Sequence, residues 1–388
     1  MPEPLAIVGA SVRAAAASAV RAGFQPVTAD LFADLDLRRI ATATRISPYP
    51  AGFLDWLRAL EPPAWMYTGA LENHPELVDQ MAWIAPLWGN PGDVLHEVRS
   101  PWILADALRE SGFLFPETRP VPDGLPHDGS WLVKTYRGAS GSGVSALVAG
   151  APETSISRCY QQRVAGTPCA GVFVANGESA TLLGLTRQLV GEDWLRAREF
   201  QYAGSMGPYW VAEAAFCEMW RIGHELASRF SLMGLFGVDF IINEENVWTL
   251  EVNPRYTASV EIIERATGTT SIATHATACR GTEPWPWNRI SMWKESYKTQ
   301  FATTQPVHGK AILFAKRPVV VAECFAEWAL GESLMDPWPR IADVSPANTP
   351  IAAGRPVITV FATGASVFDV EQQLRERVAE VEAKLYAD

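Results

Sequence analysis

Apolar residues run along the chain in short clusters separated by glycine and polar turns, and their spacing alternates between the strand period and the helix period. Leu5–Val8 is a buried-strand run closed by Gly9, the alanine-rich Ser11–Arg21 predicts a helix, and a second strand follows Gly23 toward Asp30. That order begins a βαβ unit. Trp65–Gly69 reads as a further strand and Pro75–Ile84 as a helix, so a parallel α/β domain is expected over residues 1–95, ending in the turn chemistry of Gly89–Gly92. Pro101–Ser111 predicts a helix with proline in its first turn, and the proline- and glycine-rich Pro116–Gly129 a loop leading to the strand Trp131–Lys134. Val144–Val148 is a β-type run, and Trp210–Phe230 carries apolar positions at helical spacing. Gly237–Ile242 and Val247–Asn253, joined by polar residues, predict a hairpin. Beyond a tryptophan-rich linker at Pro284–Ser291, strands are expected at His308–Val321 and Pro356–Ala362, and a last helix at Ser366–Ala387.

A length of 388 residues with 48% apolar content exceeds what one core organises and predicts two or three domains. The divisions expected are 1–95, 96–290 and 291–388, the middle one comprising a lid at about 115–165 and a larger lobe at about 166–285. A formal charge of -11 argues against the extended electropositive surface that nucleic-acid binding needs. The five cysteines are widely spaced without CxxC or zinc-ligand spacing. The first apolar run is too short for a signal segment and no run approaches the roughly 20 residues of a membrane span. A cytoplasmic protein without membrane or nucleic-acid partners is expected.

Two segments carry candidate chemistry. Lys134-Thr-Tyr-Arg-Gly138-Ala-Ser140-Gly141-Ser142-Gly143 places a lysine at the end of a strand and then three glycines with two serines. Glycine lets backbone N–H groups approach phosphate oxygens closely, and the lysine adds a point charge. The lysine precedes the glycines and a β-type run follows, unlike a Walker A loop, which suggests a hairpin lid. Alone, the segment is compatible with a phosphate site or with a plain flexible turn. In the predicted hairpin, Glu251 and Asn253 are two apart and share a face. Asp239 joins that face when it pairs opposite Glu251, so the turn should hold an odd number of residues; an even, two-residue turn would put Asp239 across from Leu250 and on the wrong face. Such hard oxygen ligands suit Mg2+ held together with phosphates; the alternative is a carboxylate pair balanced by a cation such as Arg255. Gly9-Ala-Ser-Val-Arg13 lacks the GxGxxG pattern and reads as an ordinary tight turn. Glu261 and Glu264 lie one helical turn apart and could meet an amine substrate or solvate a helix.

Together, the lysine and glycine lid and the downstream Asp239, Glu251-Val-Asn253-Pro-Arg255 hairpin resemble the ATP-grasp superfamily, of the carboxylate-amine ligase type. Tyr160-Gln-Gln162-Arg163-Val164-Ala-Gly166 is similar to the family's hinge, although Gln162 replaces its usual acid and Thr-Pro follows Gly166. The resemblance implies an α/β and α+β fold: an N-terminal parallel α/β domain, a two-lobed ATP-grasp domain and a small C-terminal α+β cap. It further implies ATP and Mg2+ (or Mn2+) as cofactors. Lys134, Gly138, Ser140, Gly141, Ser142 and Gly143 would meet the phosphates, Gln162, Arg163 and Val164 the adenine, and Asp239, Glu251 and Asn253 the metal. Arg255 and Lys134 would steady the transferring phosphoryl group, and Arg187 would face the substrate or the acyl phosphate. Arg99 stands near the position of the family's first ATP lysine. The partners implied are small-molecule carboxylate and amine substrates, and a homodimer stays open. Gly9-Ala-Ser-x-Arg13, Tyr67-Thr-Gly-Ala-Leu-Glu72-Asn73, Thr186-Arg187-Gln188-Leu189 and Glu251–Ser259 look like a subgroup linked to methanofuran- and methanopterin-type one-carbon cofactors. Glutamate ligation in that biosynthesis is the narrower expectation. The C-terminal segment is similar to the cap of carboxylase-type members, which leaves N-carboxylation open, as does a non-catalytic ATP-binding subunit.

Overall fold

Four parallel strands make the first layer: β1 (Glu3–Val8), β2 (Phe24–Asp30), β3 (Thr42–Arg45) and β4 (Trp65–Tyr67), in the order β3-β2-β1-β4. Helices α1 (Arg13–Arg21), α2 (Leu35–Ile40), α3 (Gly52–Leu60) and α4 (Pro75–Ala82) connect and follow them, as the βαβ pattern predicts. The structure, a computed structural model, describes residues 2–150, 157–244, 246–281, 305–334 and 338–387; the expected linker at 284–291 and the 290/291 boundary lie outside them. Gly9 and Thr68 bring the loops after β1 and β4 together so closely that a Cβ on Gly9 would lie 2.1 Å from Thr68 Oγ1.

Helices α5 (Gly92–Val98) and α6 (Pro101–Glu110) lead to a small antiparallel sheet of β5 (Thr118–Arg119), β6 (Asp128–Thr135), β7 (Val144–Val148) and β8 (Arg158–Gln162), in the order β5-β8-β6-β7. This sheet occupies the span where a lid is expected. Among the described residues its own core is three buried side chains, Trp131, Leu147 and Tyr160, with Leu125 and Val133 packed against them.

The largest sheet has eight strands. β9 (Thr167–Asn176), β10 (Ala180–Val190), β11 (Tyr202–Gly207), β12 (Met233–Asn243), β13 (Asn246–Asn253) and β14 (Val307–Phe314) are joined by two later strands. Of the rest, β15 (Val319–Val320) pairs with β17 (Pro350–Ile351), while β16 (Ile341–Ala342) and β18 (Pro356–Gly364) extend the large sheet to β13-β12-β9-β10-β11-β14-β18-β16. The C-terminal segment thus continues the sheet of the larger lobe, and its last helix, Val367–Leu385, covers β14 and β18 with Val370, Leu374, Val378, Val381 and Leu385. This spacing is the helical face read from the sequence.

Both faces of the sheet centre are covered. On one, Phe173, Phe236 and Phe240 pack against α6 and α7 (Glu213–Arg229) through residues such as Leu108, Met219 and Leu226. On the other, Val172, Val174 and Leu235 pack against α8 (Val260–Thr267), α9 (Ser271–Arg280) and the N-terminal layer, including Leu5, Ile7 and Ala16. The N-terminal layer therefore shares a core with the larger lobe. A buried ionic network crosses that seam. Arg13 pairs in bidentate fashion with Glu261, Lys310 Nζ donates to Glu261 Oε2 at 3.2 Å, and Arg13 Nε donates to Asp343 Oδ1 at 3.0 Å. Glu264 accepts from Ser18, Arg21 and the Ser271 N–H. Neither glutamate solvates its helix, because the face of α8 that carries them packs on α1. Removing one partner of a buried ionic group leaves the others desolvated and uncompensated. Glu261→Ala, which strands Lys310 and frees one edge of Arg13, is expected to cost roughly 3–5 kcal/mol in urea unfolding; a loss below about 1 kcal/mol, the range of an exposed pair, would contradict the buried network.

Candidate functional site

The hairpin of β12 and β13 forms the acidic side of the site. Asp239 stands opposite Glu251, and Gly237 opposite Asn253, so the three polar side chains share a face. The turn does not have the odd length expected for this register. Asn243 pairs with Asn246, leaving two residues between them, and the register of that even turn holds as far as Phe240 opposite Thr249. It then shifts between Asp239 and Phe240, where Leu250 is the extra residue of a β-bulge. The bulge turns both Leu250 and Glu251 toward the cavity, while Thr249 and Val252 stay buried.

The lid forms the basic side. Leu132 and Lys134 on β6 line the cavity, and opposite them on β8 so do Gln161 and Cys159. Lys134 Nζ donates to Gln161 Oε1 at 3.1 Å and lies 3.9 Å from Glu251 Oε2 on the other lobe. The glycine loop then crosses the cavity. Ser140 and Gly141 take φ values of 52° and 74°. The Ser140 carbonyl accepts from the Tyr202 N–H at 3.2 Å, and a Cβ on Gly141 would stand 1.9 Å from the Phe200 carbonyl oxygen. Only glycine lets the loop rest there.

The cavity between the lid and the large sheet has a volume of about 760 Å³. It brings together Lys134, Gly138, Ser140, Gly141, Ser142, Gln162, Arg163, Val164, Asp239, Glu251, Asn253 and Arg255 from the sequence-based set, with Arg99 beside them. Two members of that set stand elsewhere. Gly143 closes the base of the loop: its carbonyl accepts from the Thr135 N–H at 3.0 Å, and its φ is 86°. Arg187 is on the far face of β10, close enough to Cys169 and Tyr209 for its charge to act on both. Strand alternation puts its neighbour Gln188 into the cavity instead, where Nε2 donates to Asp239 Oδ1 at 2.9 Å. The sequence pattern could have flagged this choice, since in a regular strand adjacent side chains point to opposite faces. At the hinge, the Gln162 and Arg163 N–H groups donate to the carbonyls of Glu117 and Ser130 at 2.7 and 2.8 Å. Arg163 flanks the opening through Glu199 at 3.4 Å and the Phe200 ring.

Arg255 is held from three directions. Nε donates to Glu72 Oε1 at 2.8 Å, Nη1 to the Tyr256 carbonyl at 3.2 Å and Nη2 to Asn253 Oδ1 at 3.1 Å. Asn253 Nδ2 in turn donates to Asp239 Oδ2 at 3.1 Å. Glu72 belongs to the N-terminal layer, and its part in the site had no signal in the sequence beyond lying in a motif.

The profile of the ATP-grasp domain family matches residues 98–259, the span that holds the lid and the hairpin. Residues 98–259 thus carry an ATP-grasp domain. The chain is 20% identical over 307 residues, 76% of this chain and 68% of the other, to an uncharacterized protein of Methanocaldococcus jannaschii. Among solved structures it is similar to an L-amino acid ligase from Bacillus licheniformis, at 13% identity and a TM-score of 0.69 with 97% of each chain covered. It is also similar to N5-carboxyaminoimidazole ribonucleotide synthetase from Thermus thermophilus, at 15% identity and a TM-score of 0.65 with 99% of each covered. A third likeness is to the biotin carboxylase domain of 2-oxoglutarate carboxylase from Hydrogenobacter thermophilus, a structure with MgADP and bicarbonate, at 10% identity and a TM-score of 0.70, covering 96% of this chain and 88% of that one. Among the described residues no helix is long and apolar enough to cross a membrane.

Electrostatics of the ATP-grasp hairpin follow from the bulge. Burial and the facing Glu251 carboxylate push the Asp239 carboxyl up to about 8. Burial acts in the same sense on Glu251, but Lys134 and Arg99 outweigh it and hold that carboxyl below its usual range. Without a bound cation, the pair thus keeps a proton on Asp239. An acid whose pKa is raised by folding is a burden at high pH: between the ordinary aspartate range and about 8 the folded chain retains a proton that the unfolded chain has lost. Stability from this group is therefore lost as pH rises through that window. In chelator-treated protein, Asp239→Asn is expected to raise the thermal midpoint at about pH 8 and to leave it nearly unchanged at about pH 4. An equal gain at both pH values would contradict the repulsion.

Proposed function

We propose that this ATP-grasp protein is an ATP- and Mg2+ (or Mn2+)-dependent ligase that joins a carboxylate to an amine. The carboxylate oxygen attacks the γ-phosphorus, ADP leaves, and the resulting acyl phosphate is attacked at its carbonyl carbon by the amine, which loses a proton as phosphate departs. The observation that carries this reading is the meeting, across one cavity, of Lys134 on the lid and the Asp239–Glu251 pair on the large sheet.

The residues fit a divalent cation. Two facing carboxylates that must share a proton are a pair that such a cation relieves, and Asn253 adds an amide oxygen on the same face once its amide turns over. Among the described residues no cluster of three or more His, Cys, Asp or Glu side chains could hold a metal. This suits an ion completed by phosphate oxygens and water. Bound there, the cation would offset charge on the phosphates. Lys134 and Arg99 add point charge at the same end of the cavity, and Arg255, fixed on its opposite edge by Glu72, directs its remaining surface at the transferring group. The loop from Gly138 to Ser142 excludes water, which protects an acyl phosphate from hydrolysis. The hinge N–H groups of Gln162 and Arg163 are already bonded, so a purine edge is met by Val164 or by hinge carbonyls.

Glutamate ligation in methanofuran-type cofactor biosynthesis is the narrower reading. It rests on the motifs around Arg13, Glu72, Gln188 and Ser259. N-carboxylation is the second reading, favoured by a C-terminal segment that continues the large sheet and by likeness over nearly the whole chain to a carboxyaminoimidazole synthetase. Phosphate release from ATP and Mg2+ separates the readings: stimulation by glutamate with an amine such as tyramine supports ligation, and stimulation by bicarbonate alone supports carboxylation. Glu251→Gln is expected to lower the stimulated rate by roughly 10²-fold or more while the protein remains folded by circular dichroism; retained turnover would sink the metal assignment.

A further inference from the structure

The short turn Leu71–Asn73 that follows β4 touches all three parts of the molecule. Glu72, 2% exposed, accepts from Arg255 on the large lobe, and Arg99 Nη1 stands 3.8 Å from the same Oε1. Burial acts to raise the Glu72 carboxyl, yet Arg255 and Arg99 hold it below the usual range, so it is charged. Asn73, also buried, accepts from Arg99 Nη2 at 2.9 Å. Asn73 Nδ2 and Arg99 Nη2 then both point at one lid atom, the carbonyl oxygen of Gly138, at 3.4 and 3.5 Å. The far side of the same loop is held by the Tyr202 N–H on Ser140.

We infer that Glu72 and Asn73 form a latch by which the N-terminal domain holds the glycine lid shut and sets Arg255 at the same time. Two arginines bridge a single buried carboxylate, so the orientation of Arg255 and that of Arg99 are linked through it. Arg99 in turn shares the Gly138 carbonyl with Asn73. The contacts on the carbonyl are long, near the limit of a hydrogen bond, as suits a contact made and broken when the loop moves. The Arg255 contact on Glu72 and the Arg99 contact on Asn73 are short and charge-assisted, so the anchor stays fixed while the loop docks on it. Glu72 and Asn73 are therefore positioning residues, and the N-terminal domain controls closure over the nucleotide.

This inference rests on the nucleotide reading of the cavity, and the test separates the two. Lys134 and Arg137 lie in and beside the lid loop and are trypsin sites. Cleavage there would be followed with and without Mg2+ and a non-hydrolysable ATP analogue, beside calorimetric binding and thermal unfolding. Wild-type protein is expected to bind the analogue and become protected. Asn73→Ala is expected to bind it up to about tenfold more weakly and to lose protection, at an unchanged unfolding midpoint. Glu72→Gln, which keeps the shape and removes the charge, is expected to retain binding while turnover falls on the order of a hundredfold, since Arg255 loses its anchor. Glu72→Asp, which restores the charge on a shorter arm, is expected to recover part of it. Wild-type protein that binds no nucleotide would overturn the cavity reading and the latch together. Normal nucleotide binding with full lid protection in Asn73→Ala would overturn the latch alone.

Discussion

Asp239 and Glu251 face one another across a hairpin, and the repulsion between them organises much of the surrounding structure. One extra residue, Leu250, creates that opposition: without the bulge the even turn would place Asp239 across from a leucine and on a different face. Around the pair the molecule gathers donors and cations. Gln188 and Asn253 bond Asp239, Lys134 reaches over from the lid, and Arg99 and Arg255 act from behind. Arg99 and Arg255 are themselves balanced by Glu72. Carboxylates alternate with cations and amides from the N-terminal layer to the lid, so no part of the site has its charge satisfied by its own domain alone.

Much of the fold was legible because its outer elements are amphipathic. The last helix, predicted at Ser366–Ala387, is found at Val367–Leu385, and β7 has the predicted bounds, since one face of each meets solvent and the pattern survives in the sequence. The strands between 167 and 207 gave no such signal. In β9, Phe173 and Ala175 enter one core and Val172 and Val174 the other, so the strand is apolar throughout and its period disappears.

The site divided along the same line. Residues whose chemistry is local, the glycine loop and Glu251 with Asn253, could be read from spacing. Register could not: the odd turn was inferred from an uninterrupted ladder, and a bulge leaves no mark in the residue types around Leu250. Arg187 carries the charge that draws attention in the sequence, whereas strand alternation places Gln188 at the site. Glu72 lies 183 residues before Arg255, and only the tertiary contact makes them a pair.

The three-residue core of the lid sets how the site can be entered. Trp131, Leu147 and Tyr160 bury far less apolar surface than the cores on either side of the large sheet. Elements with few buried contacts open at small free-energy cost while the rest of the fold stays intact. Opening of this small sheet would leave the shared core of the N-terminal layer and the larger lobe intact, so its hold on the cavity rests on polar contacts at the rim rather than on the packing of the roof itself.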